Sequence, residues 1–172
     1  MSETKQKTYE DFILPSSVVS KVDVSRLVNE LELVDDEMSA AEVRNKTGSS
    51  SKNEPVLSEQ MSEFLEQNKL SLDDGHERTH LIKQLRLLKD KVPVIHMTFA
   101  TTADHASLGK LASWVRESVH PQAVIAVGLQ PALVGGVYVR TPNHVHDFTM
   151  RGKLEAQREK LKDELEALRG RK

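Results

Sequence analysis

Between Val92 and His146 only five of 55 residues carry a full charge: Lys110, Arg116 and Arg140 against Asp104 and Glu117. A stretch so poor in charge is expected to be folded interior or interface. Its flanks are different. Residues 1–91 hold 13 Lys and Arg against 18 Asp and Glu, and residues 147–172 hold 8 against 6. Such segments are expected to be helices with one wet face, or disordered. The shift sets an expected domain boundary near Val92.

The remaining composition narrows the function classes. A formal net charge of -2 over 172 residues argues against a general nucleic-acid binder. There is no run of 18 apolar residues, so no membrane span or direct membrane insertion is expected. Cys is absent, which excludes disulfides, thiolate nucleophiles and Cys-bound metal centres. The opening Met1-Ser2-Glu3-Thr4-Lys5 has neither the apolar stretch of a signal peptide nor the Arg-rich look of a transit peptide.

Along the chain, residues 1–14 are polar and expected to be a disordered tail. Residues 15–91 read as a helical region. From Asp23, the residues Val24, Leu27, Val28, Leu31, Val34 and Met38 follow helical spacing, with Asp23 or Ser25 as cap. Residues 46–55 read as a flexible linker. Ser58 caps a second helix carrying Met61, Phe64 and Leu65, which stops near Asn68. A third starts at Asp73 or Asp74 and buries Leu81, Ile82, Leu85 and Leu88.

At Val92 the period changes, and residues 92–172 are expected to form an α/β domain. Val92 to Phe99 alternates, with Ile95, Met97 and Phe99 on one face and Val94, His96 and Thr98 on the other. Asp104 caps a helix whose inner face is Leu108, Leu111, Ala112, Val115 and Val119. Ala123 to Val127 reads as a strand buried on both faces, in the middle of a small sheet, and Val137 to Thr141 as another. Strand–helix–strand implies a right-handed parallel crossover. Asp147 opens a terminal helix spanning 147–168. The fold class is therefore α+β: a small helical bundle, then a mixed βαββ sheet with a long amphipathic C-terminal helix.

Few residues suggest chemistry. His144 and His146, followed by Asp147, resemble a metal-ligand cluster, since alternate strand residues share a face. The plainer reading, a polar turn with Asp147 as helix cap, is preferred; no metal and no catalytic set is expected. Gly128, Gly135 and Gly136 lack the spacing of a phosphate loop, and a Gly-Gly pair before a strand suits a positive φ or a close backbone approach. No cofactor is expected. Trp114 is read as a half-buried packing residue, with an interface role as the alternative.

The terminal helix is the sharpest signal. Leu154, Leu161, Leu165 and Leu168 fall on alternating a and d positions, with Arg158 filling the remaining one. At about 1.5 Å per residue, 147–168 would span about 33 Å, more than a small sheet needs for its own cover. The far half is expected to pack on a helix of another chain, or else to fold back on the sheet.

Residues 124–154, from Val-Ile-Ala-Val-Gly through Leu-Val-Gly-Gly-Val to Asp-Phe-Thr-Met-Arg-Gly-Lys-Leu, resemble the C-terminal signature of a known family. It is the delta subunit, or oligomycin-sensitivity-conferring protein, family of F-type ATP synthases. Leu133, Gly135, Gly136, Asp147, Arg151 and Leu154 match its pattern, and Thr149 stands where Ser is usual. The N-terminal half departs from the family's six-helix bundle, offering three helices and a Ser-rich linker. The resemblance implies a non-catalytic stator subunit in the peripheral stalk, at the cytoplasmic face of a bacterial membrane. Its implied partners are the N-termini of the alpha subunits and the b stalk subunit, the latter through Leu161, Leu165, Leu168 and Trp114. Two rivals stand beside it: a coiled-coil adaptor outside the ATP synthase, and a small metalloenzyme built on His144 and His146.

Overall fold

The computed structural model describes residues 7–46, 55–133, 135–141 and 143–169. Most of the expected linker at 46–55 lies outside the described residues. The chain is α+β and divides into two compact units: Met1–Pro93 with Leu108–Val124, and Val94–Ser107 with Ile125–Lys172. The boundary expected at Val92 is thus crossed by a returning segment.

The first unit is helical. Helix α1 (Lys21–Lys46) begins with a reciprocal cap. The Ser20 N–H donates to Asp23 Oδ2 at 2.9 Å, and the Asp23 N–H donates back to Ser20 Oγ at 3.3 Å. The cap is therefore Ser20 with Asp23 three positions on; Ser25 instead turns its hydroxyl to the Lys21 carbonyl at 2.9 Å. Helix α2 (Glu59–Asn68) is capped by Ser58, whose side chain accepts from the Met61 N–H, and ends on left-handed Lys69. Helix α3 (Gly75–Lys91) is capped by Asp74. Val24, Leu27, Val28, Leu31 and Val34 of α1, Met61, Phe64 and Leu65 of α2, and Leu81, Ile82, Leu85 and Leu88 of α3 are all buried, as their spacing implies.

Two features were not visible in the pattern. Residues 7–14 are no loose tail: Phe12 and Leu14 are buried, and the Phe12 ring meets Phe64 edge-on at 5.4 Å. The fully buried Asn68 amide holds this segment, accepting from the Ile13 N–H at 2.9 Å and donating to the Ile13 carbonyl at 2.8 Å. Arg78 is also fully buried, with Nε 2.7 Å from Asp35 and Nη2 3.0 Å from Glu42. Its remaining donors reach the carbonyls of Leu72 and Asp73, so no charge is left alone inside.

Residues 108–124 join this unit through two side chains. Arg116, on helix α4 (His105–Ser118), donates to the carbonyls of Leu14 at 3.1 Å, Pro15 at 2.7 Å and Ala123 at 3.1 Å, and also to that of Val18. The buried Gln122 amide donates to the carbonyls of Tyr9 and Phe12. Burial pulls the Arg116 guanidinium down to about 10. Of the inner face expected on α4, Ala112 and Val115 are buried, whereas Val119 is exposed.

The second unit is a four-stranded mixed sheet in the order β2-β1-β3-β4, from β1 (Val94–Phe99), β2 (Val124–Leu129), β3 (Val137–Arg140) and β4 (Val145–Asp147). Strand β2 is an edge, not the middle. Antiparallel β3 occupies the other side of β1, with Met97 opposite Val139. Val127 and Leu129 on β2 are accordingly exposed. Strand β4 was not expected; it pairs with β3, His146 opposite Val139. The terminal helix starts at Met150, not Asp147, and is two pieces, α5 (Met150–Ala156) and α6 (Arg158–Arg169), interrupted at Gln157. Among the described residues, all but three of the buried apolar side chains lie in the first unit; Ile95, Met97 and Ile125 are the second unit's. The charge-poor span is therefore not the main core.

Arg116→Met should leave several carbonyls without donors, each costing about 1–3 kcal/mol if it stays dry. Urea unfolding of the full chain should show that loss. Arg26→Met, which removes a largely exposed guanidinium from its pair with the buried Asp23, should shift stability by less than about 1 kcal/mol. Equal effects would show that the Arg116 contacts hold nothing.

Candidate functional site

Leu133, Gly135, Gly136, Asp147 and Thr149, five of the residues carrying the family resemblance, meet at one strand-to-helix junction in the second unit. Leu133 ends a single 3-10 turn, Pro131–Leu133, just before the glycine pair. The Met150 N–H donates to the Gly135 carbonyl at 2.9 Å, and the Phe148 N–H to the Val137 carbonyl at 3.0 Å. Gly136 has φ +87, and a Cβ there would lie 2.3 Å from the Phe148 carbonyl oxygen. No side chain fits that position. Gly135 is less constrained, because a Cβ would meet only the Met150 side chain at 3.2 Å. The two glycines, paired in the sequence reading, thus have unequal jobs.

Asp147 belongs to this junction, though not as the helix cap. Its Oδ1 accepts the Thr149 N–H at 2.8 Å, while Thr149 Oγ1 accepts the Gly152 N–H at 3.0 Å. Thr149 is the cap, and it is buried. The Thr149 hydroxyl, then its N–H, hold the Asp147 carboxyl below the usual carboxylate range. That favourable contribution is present above the ordinary Asp value and is lost only as pH falls through the lowered one. Gly152 was missed in the sequence: a Cβ there would sit 2.6 Å from Asp147 Oδ2. The remaining signature residues do not join the junction. Arg151 pairs with Glu155 at 3.2 Å along α5, and Leu154 is exposed.

Beyond the junction the leucines face outward. Leu154, Leu161, Leu165 and Leu168 are 60%, 56%, 56% and 65% exposed, and α6 buries no residue. Phe148 and Met150 are also exposed. Because the helix is interrupted at Gln157, Leu154 belongs to α5 and the other three to α6. The fold-back alternative, with these leucines covering the sheet, is not what the structure has.

His144 and His146 do come together, with ring centroids 6.2 Å apart, and His146 stacks on Phe148 at 5.9 Å. Among the described residues no group of three or more His, Asp or Glu is arranged to hold a metal ion. Trp114 is 57% exposed and lies in the first unit, whereas the α6 leucines lie in the second. The side chains that sequence reasoning missed are Arg116, Gln122 and Asn68. Each binds main-chain groups tens of residues away, which no local spacing encodes.

Gly136→Ala should destabilise the chain by at least about 1 kcal/mol, through the disfavoured φ and the clash with Phe148. Gly135→Ala should be nearly neutral, since Met150 can move aside. Thr149→Ala should cost about 0.5–2 kcal/mol as a lost cap. Thermal unfolding of the three variants checks the order; a tolerated Gly136→Ala contradicts the junction geometry.

No protein-family model matches the chain, and no curated protein matches it.

Proposed function

We propose that this chain is the delta-type stator subunit of a proton- or sodium-translocating F-type ATP synthase. It supplies no catalytic group. It ties the catalytic head to the b stalk and resists the torque of the rotor. The observation that carries this reading is the junction: Leu133, Gly135, Gly136, Asp147 and Thr149, matched to the family pattern from sequence, come together around a backbone approach that excludes a side chain at Gly136. The exposed leucines of α6 support it, because a linker must offer apolar surface to a partner.

In this reading the helical unit takes the N-terminal segments of the alpha subunits. Leu161, Leu165 and Leu168 take the C-terminal end of the b helices, with Trp114 as a further contact. The seam is flanked by Lys162 and Arg169 on one side and Glu164 on the other, a mixed pattern that selects a helical partner by charge. No helix among the described residues is long and apolar enough to cross a membrane. The subunit would sit peripherally, at the cytoplasmic face of the membrane that carries the complex.

The double variant Leu161→Asp, Leu165→Asp tests the contact. Both positions are more than half exposed, so circular dichroism of the isolated chain should be unchanged. Affinity for the b subunit should fall at least about tenfold, about 1.4 kcal/mol. ATP hydrolysis by the detached head should not change. Wild-type affinity for b in the variant would overturn the assignment of the seam. A wild-type chain that binds a helical partner but never ATP synthase subunits would instead favour the adaptor.

A further inference from the structure

The sheet of the second unit has a polar face that the stator reading does not use. Strand register sets His96 opposite Arg140 and Thr98 opposite Tyr138 on the two central strands. Directly opposed side chains start only about 4.5–5.5 Å apart at Cβ. With Val94 and Thr141 these four line a shallow depression of about 540 Å³. On the β2 side Gly128 lies against Thr98; a Cβ there would be 3.2 Å from Thr98 Oγ1.

The lining of this depression includes no acid. His96 and Arg140 are exposed, and among the described residues no carboxylate pairs with Arg140. Among the described residues, the acid on the same face of these strands is Asp147, opposite Tyr138, and it already accepts the Thr149 N–H. The depression therefore combines a free guanidinium, an imidazole and the hydroxyls of Thr98 and Tyr138. All are able to donate hydrogen bonds, and none is spent on a neighbouring side chain.

We propose that this face binds a phosphoryl group, either as inorganic phosphate or on a small phosphomonoester. A guanidinium fork grips two phosphate oxygens side by side. The imidazole and two hydroxyls surround the remaining oxygens, more donors than one carboxylate can use. A polynucleotide fits less well: the depression holds a single Tyr and a single Arg, whereas strand binding needs several stacking rings along a basic track.

The test is titration of the full chain with inorganic phosphate, read by amide and imidazole NMR shifts at constant ionic strength. Saturable shifts should appear at His96, Thr98, Tyr138 and Arg140. Arg140→Gln and His96→Gln, both exposed and so expected to keep the fold, should each weaken binding at least about tenfold. Glucose 6-phosphate at matched ionic strength should compete, which separates the esterified source from the free ion. Shifts reproduced by chloride, equal binding of acetate, or unaltered binding in both variants would overturn the proposal. So would Arg140-dependent binding of an oligothymidylate tighter than that of phosphate, which would assign the face to nucleic acid.

Discussion

The guanidinium of Arg116 is the contact on which the rest of the architecture depends. It collects the carbonyls of Leu14, Pro15 and Val18 and that of Ala123, joining residues about a hundred positions apart. Gln122 adds the carbonyls of Tyr9 and Phe12. Polar main-chain groups inside a protein must find donors, and here the donors come from a segment that has left the helical unit and returned. The chain passes between units at Pro93, at Ser107 and at Val124. Force entering one unit can thus reach the other along three covalent crossings instead of one. That connectivity suits the load-bearing part proposed above better than a single tether would.

The two units divide the apolar residues unevenly. The first keeps nearly all of the buried core, with Phe64, Leu27, Leu31, Leu85 and Leu88 almost wholly out of water. The second leaves Val127, Leu129, Phe148, Met150 and the α6 leucines largely exposed. Surface of this kind is costly to leave in water, at roughly 25 cal/mol per Å². In the proposed reading, the α6 part of that surface is what the stalk helices cover. The junction at Gly136 and Thr149 fixes where α5 leaves the sheet.

Much of this was legible in the residues, for identifiable reasons. The helical stripes of α1, α2 and α3 and the cap Ser58 are local signals legible from spacing, and Asp74 is one of the two acids that spacing offers for the start of α3. The alternation of β1 likewise placed Ile95 and Met97 inward and His96 outward. Long-range geometry was not legible. Ala123 to Val127 looks like a central strand because it is continuously apolar, yet β3 takes the place beside β1 and leaves β2 at the edge. Spacing offers Asp23 or Ser25 as the α1 cap, whereas Ser20 and Asp23 act there as a pair. The polar tail 1–14 hid Phe12 and Leu14, whose burial depends on Asn68 and Gln122, distant in sequence. At the junction, the motif identified Gly135, Gly136 and Asp147 but not Gly152, since only the Asp147 carboxylate position reveals why that residue is small.

The central claim is that this chain is a fixed part of a rotary ATP synthase, and the most direct measurement is the composition of the native complex. The chain, tagged at its chromosomal locus, would be purified from detergent-solubilised membranes and the intact assembly weighed by native mass spectrometry. The account predicts one copy bound with the alpha, beta and b subunits, and loss of the head from the stalk when the chain is depleted. An ATP synthase that purifies whole and coupled without this chain, with the chain recovered apart from it, would contradict the account.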